Sequence, residues 1–321
     1  MNINRKLKIF KCALKSGATP FASLFVTRRC NLKCGICAIQ DHPAGELPAD
    51  RWEEAIRRLA AVGVRNMTFT GGEPFLRDDI GELIRFASVQ QECITWLFSN
   101  LTLVTEKRLA EVKGLDFLCA SVDRLDGPEG KTYSRAMKVL EQCAGFGITP
   151  AILATVTRDN AREALELAEK AAESGVLFDF ALVQNVGGLF SPDRDVRRPD
   201  AEALEPVLNR LSDLRARTSH VLPSYKLLKE AAEFYGRNNW KCPVDKDPFI
   251  AVNSDGKLMV CLEFATDLSI FEIGSLRDPR WRAAKAAVVD RCRGCSWTCN
   301  YQKTFRNPFD LLQESVALLK F

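Results

Sequence analysis

The sequence predicts an α/β protein, a parallel sheet built from repeated βα units with a small cysteine-bearing module after it. From residue 23 to about 185, short β-branched or apolar runs alternate with longer helical patterns about six times. That rhythm stops at a polar stretch, SPDRDVRRPD, running from Ser191 to Asp200. Beyond it, residues 242 to 299 carry five cysteines in loops containing Gly and Asp. A chain of 321 residues fits two domains or one large α/β barrel, at about 150 residues per domain.

The strands are expected at Ser23 to Thr27, Asn66 to Thr70, Thr95 to Ser99, Phe117 to Ser121, Ala151 to Val156 and Phe178 to Val183. Among the helical patterns the clearest is NAREALELAEKAAESG. Asn160 is placed to cap it, Ala161, Ala164, Leu165, Ala168, Ala171 and Ala172 form one stripe, and Gly175 is placed to end it. Residues 201 to 236 read as two more helices. The chain therefore divides into an amphipathic N-terminal helix (1–20), the βα region (21–190), a linker with helices (191–240), the cysteine module (241–300) and a C-terminal helix (301–321).

Composition narrows the function. With 46% hydrophobic and 27% charged residues and no low-complexity tract, the chain is not disordered, collagenous or coiled-coil. A net charge of +4 is too mild to imply nucleic acid as a partner. Twelve cysteines stand against two histidines, His42 and His220, which disfavours a histidine base or a histidine-rich metal site. The start, MNINRKLKIFKCALKSG, has no continuous apolar run or small-residue cleavage site, so the thiols are expected in a reducing cytosol. Leu7, Phe10 and Leu14 line one side of the first helix and Lys6, Lys8, Lys11 and Lys15 the others. Such a helix either touches a membrane surface or closes one end of the barrel; closure is the expectation.

After the first strand comes TRRCNLKCGICAIQ, which sets Cys30, Cys34 and Cys37 in a C-x3-C-x2-C spacing. Three soft thiolates favour an iron–sulfur cluster or zinc. A cubane cluster held by three cysteines leaves its fourth iron open; a zinc site would add His42 as the fourth ligand. After the second strand comes TGGEP, with Gly71, Gly72, Glu73 and Pro74, where glycine permits close backbone approach. Ser99 and Asn100 follow the third strand, Ser121 and Asp123 the fourth, and Thr155 and Arg158 the fifth. All these candidates fall at the carboxyl ends of strands, the face on which barrel enzymes build their sites.

The cysteine triplet with the TGGEP segment resembles the radical S-adenosylmethionine (SAM) superfamily, with Ile36 at a position usually aromatic there. The resemblance implies a partial (β/α)6 TIM-like barrel and a 4Fe–4S cluster on Cys30, Cys34 and Cys37 whose open iron is chelated by SAM. It further implies reductive cleavage of SAM to a 5′-deoxyadenosyl radical. Gly71 to Pro74 would then meet the amino end of SAM, and Ser99, Asn100, Ser121 and Asp123 its methionine or ribose portion. Arg158 either pairs with the SAM carboxylate or is simply solvated, and an external one-electron donor such as a flavodoxin or ferredoxin would reduce the cluster.

Within the module, Cys242 is followed after thirteen residues by Gly256 and after four more by Cys261, then by Cys292, Cys295 and Cys299. Ser254, Asp255 and Gly256 read as a hairpin turn. The module resembles the twitch domain, a shortened relative of the SPASM extension, and that resemblance implies one auxiliary 4Fe–4S cluster. Cys242, Cys261, Cys292 and Cys295 are the favoured ligands, with Cys299 as a substitute for Cys295; a structural zinc site is the alternative. Cys12, Cys93, Cys119 and Cys143 have no partners at ligand spacing and read as small buried hydrophobes.

Taken with the resemblance, these features lead to a radical SAM oxidoreductase. It would abstract hydrogen from a small molecule and pass an electron to the auxiliary cluster, a net oxidation. The alternatives are radical C–C or C–S bond formation on a peptide or lipid, and a metal-binding or electron-transfer protein without turnover. Arg158, Tyr225 and Lys226 are the candidates for the group that takes the substrate proton.

Overall fold

The structure, a computed structural model, describes residues 3–14, 21–127, 130–184, 186–192, 198–237, 242, 244, 249–292, 295 and 320, without the side chains of 3, 4, 12–14, 234, 236 and 237. Six parallel strands, β1 (Phe21–Thr27), β2 (Asn66–Gly71), β3 (Ile94–Ser99), β4 (Phe117–Ser121), β5 (Thr149–Val156) and β6 (Leu177–Leu182), stand side by side in chain order. Each is linked to the next by a helical crossover, so the sheet has the partial-barrel form expected from the sequence.

Hydrophobic periodicity explains the layers. One side of each strand packs on the crossover helices: Leu24, Phe69, Leu97, Leu118, Ile152 and Phe178 are fully buried in one core. α2 (Ala49–Ala61) contributes Trp52, Ala55, Ile56 and Leu59 to that core, and α6 (Ala161–Glu173) contributes Ala161, Ala164, Leu167, Ala168 and Ala171. Gly175, at φ +69°, ends the α6 segment as expected. Asn160 does not cap α6 through its side chain. Its Oδ1 instead accepts the N–H of Thr157 at 2.7 Å and its Nδ2 donates to Asp123 O and Thr155 O, so it joins the ends of β4 and β5.

The opposite strand faces form a second cluster in which Ile94, Phe117, Cys119, Ala151 and Leu177 pack around Ile9. Ile9 belongs to α1 (Ile3–Leu14), which packs against this end of the sheet with Arg5, Lys8 and Ile9 inward and Lys11 exposed. Arg5 is buried and donates to the carbonyls of Asp116 and Gly147, and Lys8 Nζ donates to Asp116 Oδ2 at 3.0 Å. Leu7 and Phe10 are about half exposed. The buried Asp116 carboxylate and two strand-end carbonyls require cationic donors, which turns the helix against its apolar stripe.

β7 (Ile250–Val252) adds to the other side of β1, also in parallel, with Ala22 opposite Ile250 and Leu24 opposite Val252. β8 (Lys257–Met259) and β9 (Ala265–Ser269) then pair antiparallel. The turn between β7 and β8 holds Gly256 at φ +85°, a backbone state that glycine adopts without strain. The cysteine module is thus continuous with the barrel sheet and does not stand apart from it. α7 (Ala201–Arg217) and α8 (Tyr225–Arg237) pack against each other beside β6. Among the described residues no helix is long and apolar enough to cross a membrane. Cys299 and the C-terminal helix pattern, apart from Lys320, lie outside the described residues, as do the Cys12 side chain and residues 193–197.

Candidate functional site

The triplet loop leaves β1 at Thr27 and is fixed by the segment after β2. The N–H of Gly72 donates to Thr27 O at 2.8 Å, and the N–H of Glu73 to Arg29 O at 2.8 Å. This approach needs glycine: a Cβ on Gly71 would lie 2.1 Å from Thr27 O, and one on Gly72 2.0 Å from Arg29 O. Gly71 also sits at φ +145°.

Glu73 is fully buried at the centre of this arrangement. Its Oε2 accepts the N–H of Asn100 at 2.8 Å, and its Oε1 accepts the hydroxyl of Ser99 at 2.8 Å and the N–H of Phe75 at 3.1 Å. Burial raises its pKa, against these hydrogen bonds, which favour the charged form. Asn100 then reaches the triplet: its Nδ2 donates to Asn31 Oδ1 at 2.9 Å and lies 3.9 Å from the sulfur of Cys30. TGGEP, Ser99, Asn100 and Cys30 therefore form one connected unit across the ends of β1, β2 and β3.

Cys30, Cys34 and Cys37 are each half-buried. The N–H of Leu32 donates to the Cys30 sulfur at 3.5 Å, and the N–H of Cys37 to Cys34 O at 3.1 Å. Burial pushes the thiols of Cys30 and Cys37 up, so loading a metal here must displace their protons. Gln40 Nε2 ties the loop to itself by donating to Cys30 O and Leu32 O. Among the described residues, no group of three or more His, Cys, Asp or Glu is gathered closely enough to hold a single metal ion. His42 is exposed.

Asp123 is held between the ends of β4 and β5, its Oδ1 accepting the N–H of Thr155 at 3.0 Å. Its Oδ2 lies 3.5 Å from Lys131 Nζ. Burial opposes the charge on Lys131, but Asp123 with Cys34 and Cys37 outweighs it and holds the ammonium above the usual lysine range. Lys131 is thus a cation within electrostatic reach of the triplet, and a lone lysine in a loop gave no sequence signal. Ser121 is half-buried at the end of β4. Arg158 is exposed and lines a different hollow, with Arg198, Asp200, Glu205, Lys229 and Tyr235, whose lining includes none of the triplet. Tyr225 is also exposed, beneath the Arg215 guanidinium.

In the module, four cysteines line one small hollow: Cys242, Cys261, Cys292 and Cys295, with Glu263, Val288 and Val289 among their neighbours. These are the four favoured from spacing. Burial pushes the Cys261 thiol far up. A cavity walled by thiols and valines suits a soft, thiophilic metal group, an iron–sulfur cluster or zinc, better than a hard ion. Cys93, Cys119 and Cys143 are buried in the core, as expected.

Residues 24–198 match the radical SAM superfamily. The chain is 24% identical over 302 residues to a PqqA peptide cyclase of Bradyrhizobium diazoefficiens, covering 87% of this chain and 76% of that one. It is 28% identical over 247 residues to an AdoMet-dependent heme synthase of Oleidesulfovibrio alaskensis, covering 70% and 61%. In fold it resembles SuiB of Streptococcus suis, solved with the precursor peptide SuiA, at a TM-score of 0.66 and 19% identity, covering 83% of this chain and 66% of SuiB.

Proposed function

This chain belongs to the radical SAM superfamily, and from that premise we propose that it abstracts a hydrogen atom from a carbon of its substrate in a cytoplasmic oxidation. The carrying observation is the single hydrogen-bonded unit of triplet loop, TGGEP segment and Asn100. Cys30, Cys34 and Cys37 are the proposed ligands of the reducing cluster. That cluster, when bound, supplies the electron that cleaves SAM to methionine and a 5′-deoxyadenosyl radical. Gly71 to Pro74 offer backbone groups to SAM, with Glu73 fixing their course from behind. Lys131, held by Asp123, provides positive charge on the same side.

Cys242, Cys261, Cys292 and Cys295 are the proposed ligands that would hold an auxiliary cluster, which when bound would supply an acceptor for the electron the substrate radical gives up as it loses a proton. A small molecule is the first reading of the substrate, in line with the heme synthase. Peptide modification is the second, favoured by the PqqA peptide cyclase and by SuiB with its precursor peptide. A ferredoxin or flavodoxin is the proposed donor.

Anaerobic reconstitution followed by reduction with dithionite and addition of SAM tests the core of this reading. About eight irons per chain and formation of 5′-deoxyadenosine are expected. Zinc in place of iron, or no 5′-deoxyadenosine, would overturn it.

A further inference from the structure

We infer that Glu263 positions the auxiliary site against the SAM-side loop and, through its charge, lowers the auxiliary cluster's reduction potential. The inference rests on the auxiliary-cluster reading above. Glu263 is 3% exposed and lies two residues after Cys261, whose sulfur accepts its N–H at 3.4 Å. Its Oε2 accepts the N–H groups of Phe190 at 2.9 Å and Ser191 at 3.0 Å, and its Oε1 accepts the Ser191 hydroxyl. Its own carbonyl accepts the N–H of Leu189 at 3.0 Å. The segment after β6 is thus wound around one side chain. A Cβ on Gly188 would lie 2.5 Å from Glu263 Oε2, so the winding depends on glycine there.

The same segment touches the triplet loop. Phe190 O accepts the N–H of Ala38, the residue after Cys37, at 2.9 Å, and the Phe190 ring packs on Phe25 at 5.1 Å. Ala38, Phe190, Glu263 and Cys261 form an unbroken hydrogen-bonded path between the two cysteine sites. Packing alone would be served by an apolar side chain of similar volume. Three donors face the two carboxylate oxygens, a pattern an acceptor-only side chain satisfies in full. A fixed negative charge beside a thiolate-ligated cluster disfavours adding an electron, and hydrogen bonds to the sulfurs tune the same quantity. Glu263 therefore favours the oxidised resting state, the state able to receive an electron from the substrate.

Glu263→Gln separates charge from tether. Its amide oxygen can accept both N–H groups, and its NH2 can donate to Ser191 Oγ once that hydroxyl turns. On reconstituted protein, wild type and Glu263→Gln should both hold about eight irons. An EPR-monitored redox titration should show the auxiliary potential of Glu263→Gln moved positive, with the SAM-side cluster unmoved. In reconstituted Glu263→Ala, amide exchange at Ala38 and at residues 189–191 should rise about tenfold or more. An unshifted auxiliary potential in Glu263→Gln, or unchanged exchange at Ala38 in Glu263→Ala, overturns the inference. About four irons in the wild type would instead end the auxiliary-cluster reading, and this inference with it.

Discussion

The Glu73 carboxylate accepts the backbone N–H of Asn100 at 2.8 Å, binding the loop after β2 to the end of β3. Ser99 and Phe75 complete its shell. Glu73→Gln leaves one oxygen for three donors, and an orphaned buried donor costs about 1–3 kcal/mol. The urea midpoint should fall by that equivalent. Because Asn100 also contacts Cys30, the SAM dissociation constant of the reconstituted protein should rise about tenfold, read by calorimetry.

Gly72 is packed too closely for any side chain, its hypothetical Cβ 2.0 Å from Arg29 O. Gly72→Ala should destabilise the fold by about 1–3 kcal/mol in chemical denaturation. The strain falls on the backbone leading into Cys30, so iron retained after reconstitution should also drop.

The two proposed clusters should be separable. Cys30→Ala should remove about four irons and all 5′-deoxyadenosine formation. Cys261→Ala should remove about four irons and leave SAM cleavage measurable. Cys295 lines the hollow with Cys242, Cys261 and Cys292, so Cys295→Ala should lose the auxiliary iron while Cys299→Ala keeps it. Equal losses from the last two would give Cys299 an equal share.

His220 follows α7, its carbonyl accepting the N–H of Phe178 at 2.7 Å. Burial lowers its pKa below the ordinary 6.5, so the fold favours neutral imidazole. The stability this contributes is present above 6.5 and is lost as pH falls from there through the lowered value. Urea midpoints measured across that range should decline on acidification, and His220→Asn should flatten the decline.

What the sequence determined by itself was local. The alternation of apolar runs placed the six barrel strands to within about two residues, because periodicity and turn residues act over short windows. The cysteine spacings and the paired glycines of TGGEP were equally legible, since each states a requirement of a single loop. Only the tertiary structure decided what depends on distant partners. β7 pairs with β1 through backbone groups that no side-chain pattern encodes. α1 turns Arg5 and Lys8 inward to Asp116, more than a hundred residues away, whose carbonyl and carboxylate they bond. Lys131 lies within electrostatic reach of the triplet, Arg158 lines another hollow, and Glu263 gathers residues 189–191, because charges and donors find partners by position in space. Burial makes those partnerships obligatory, and burial is settled only once the chain has folded.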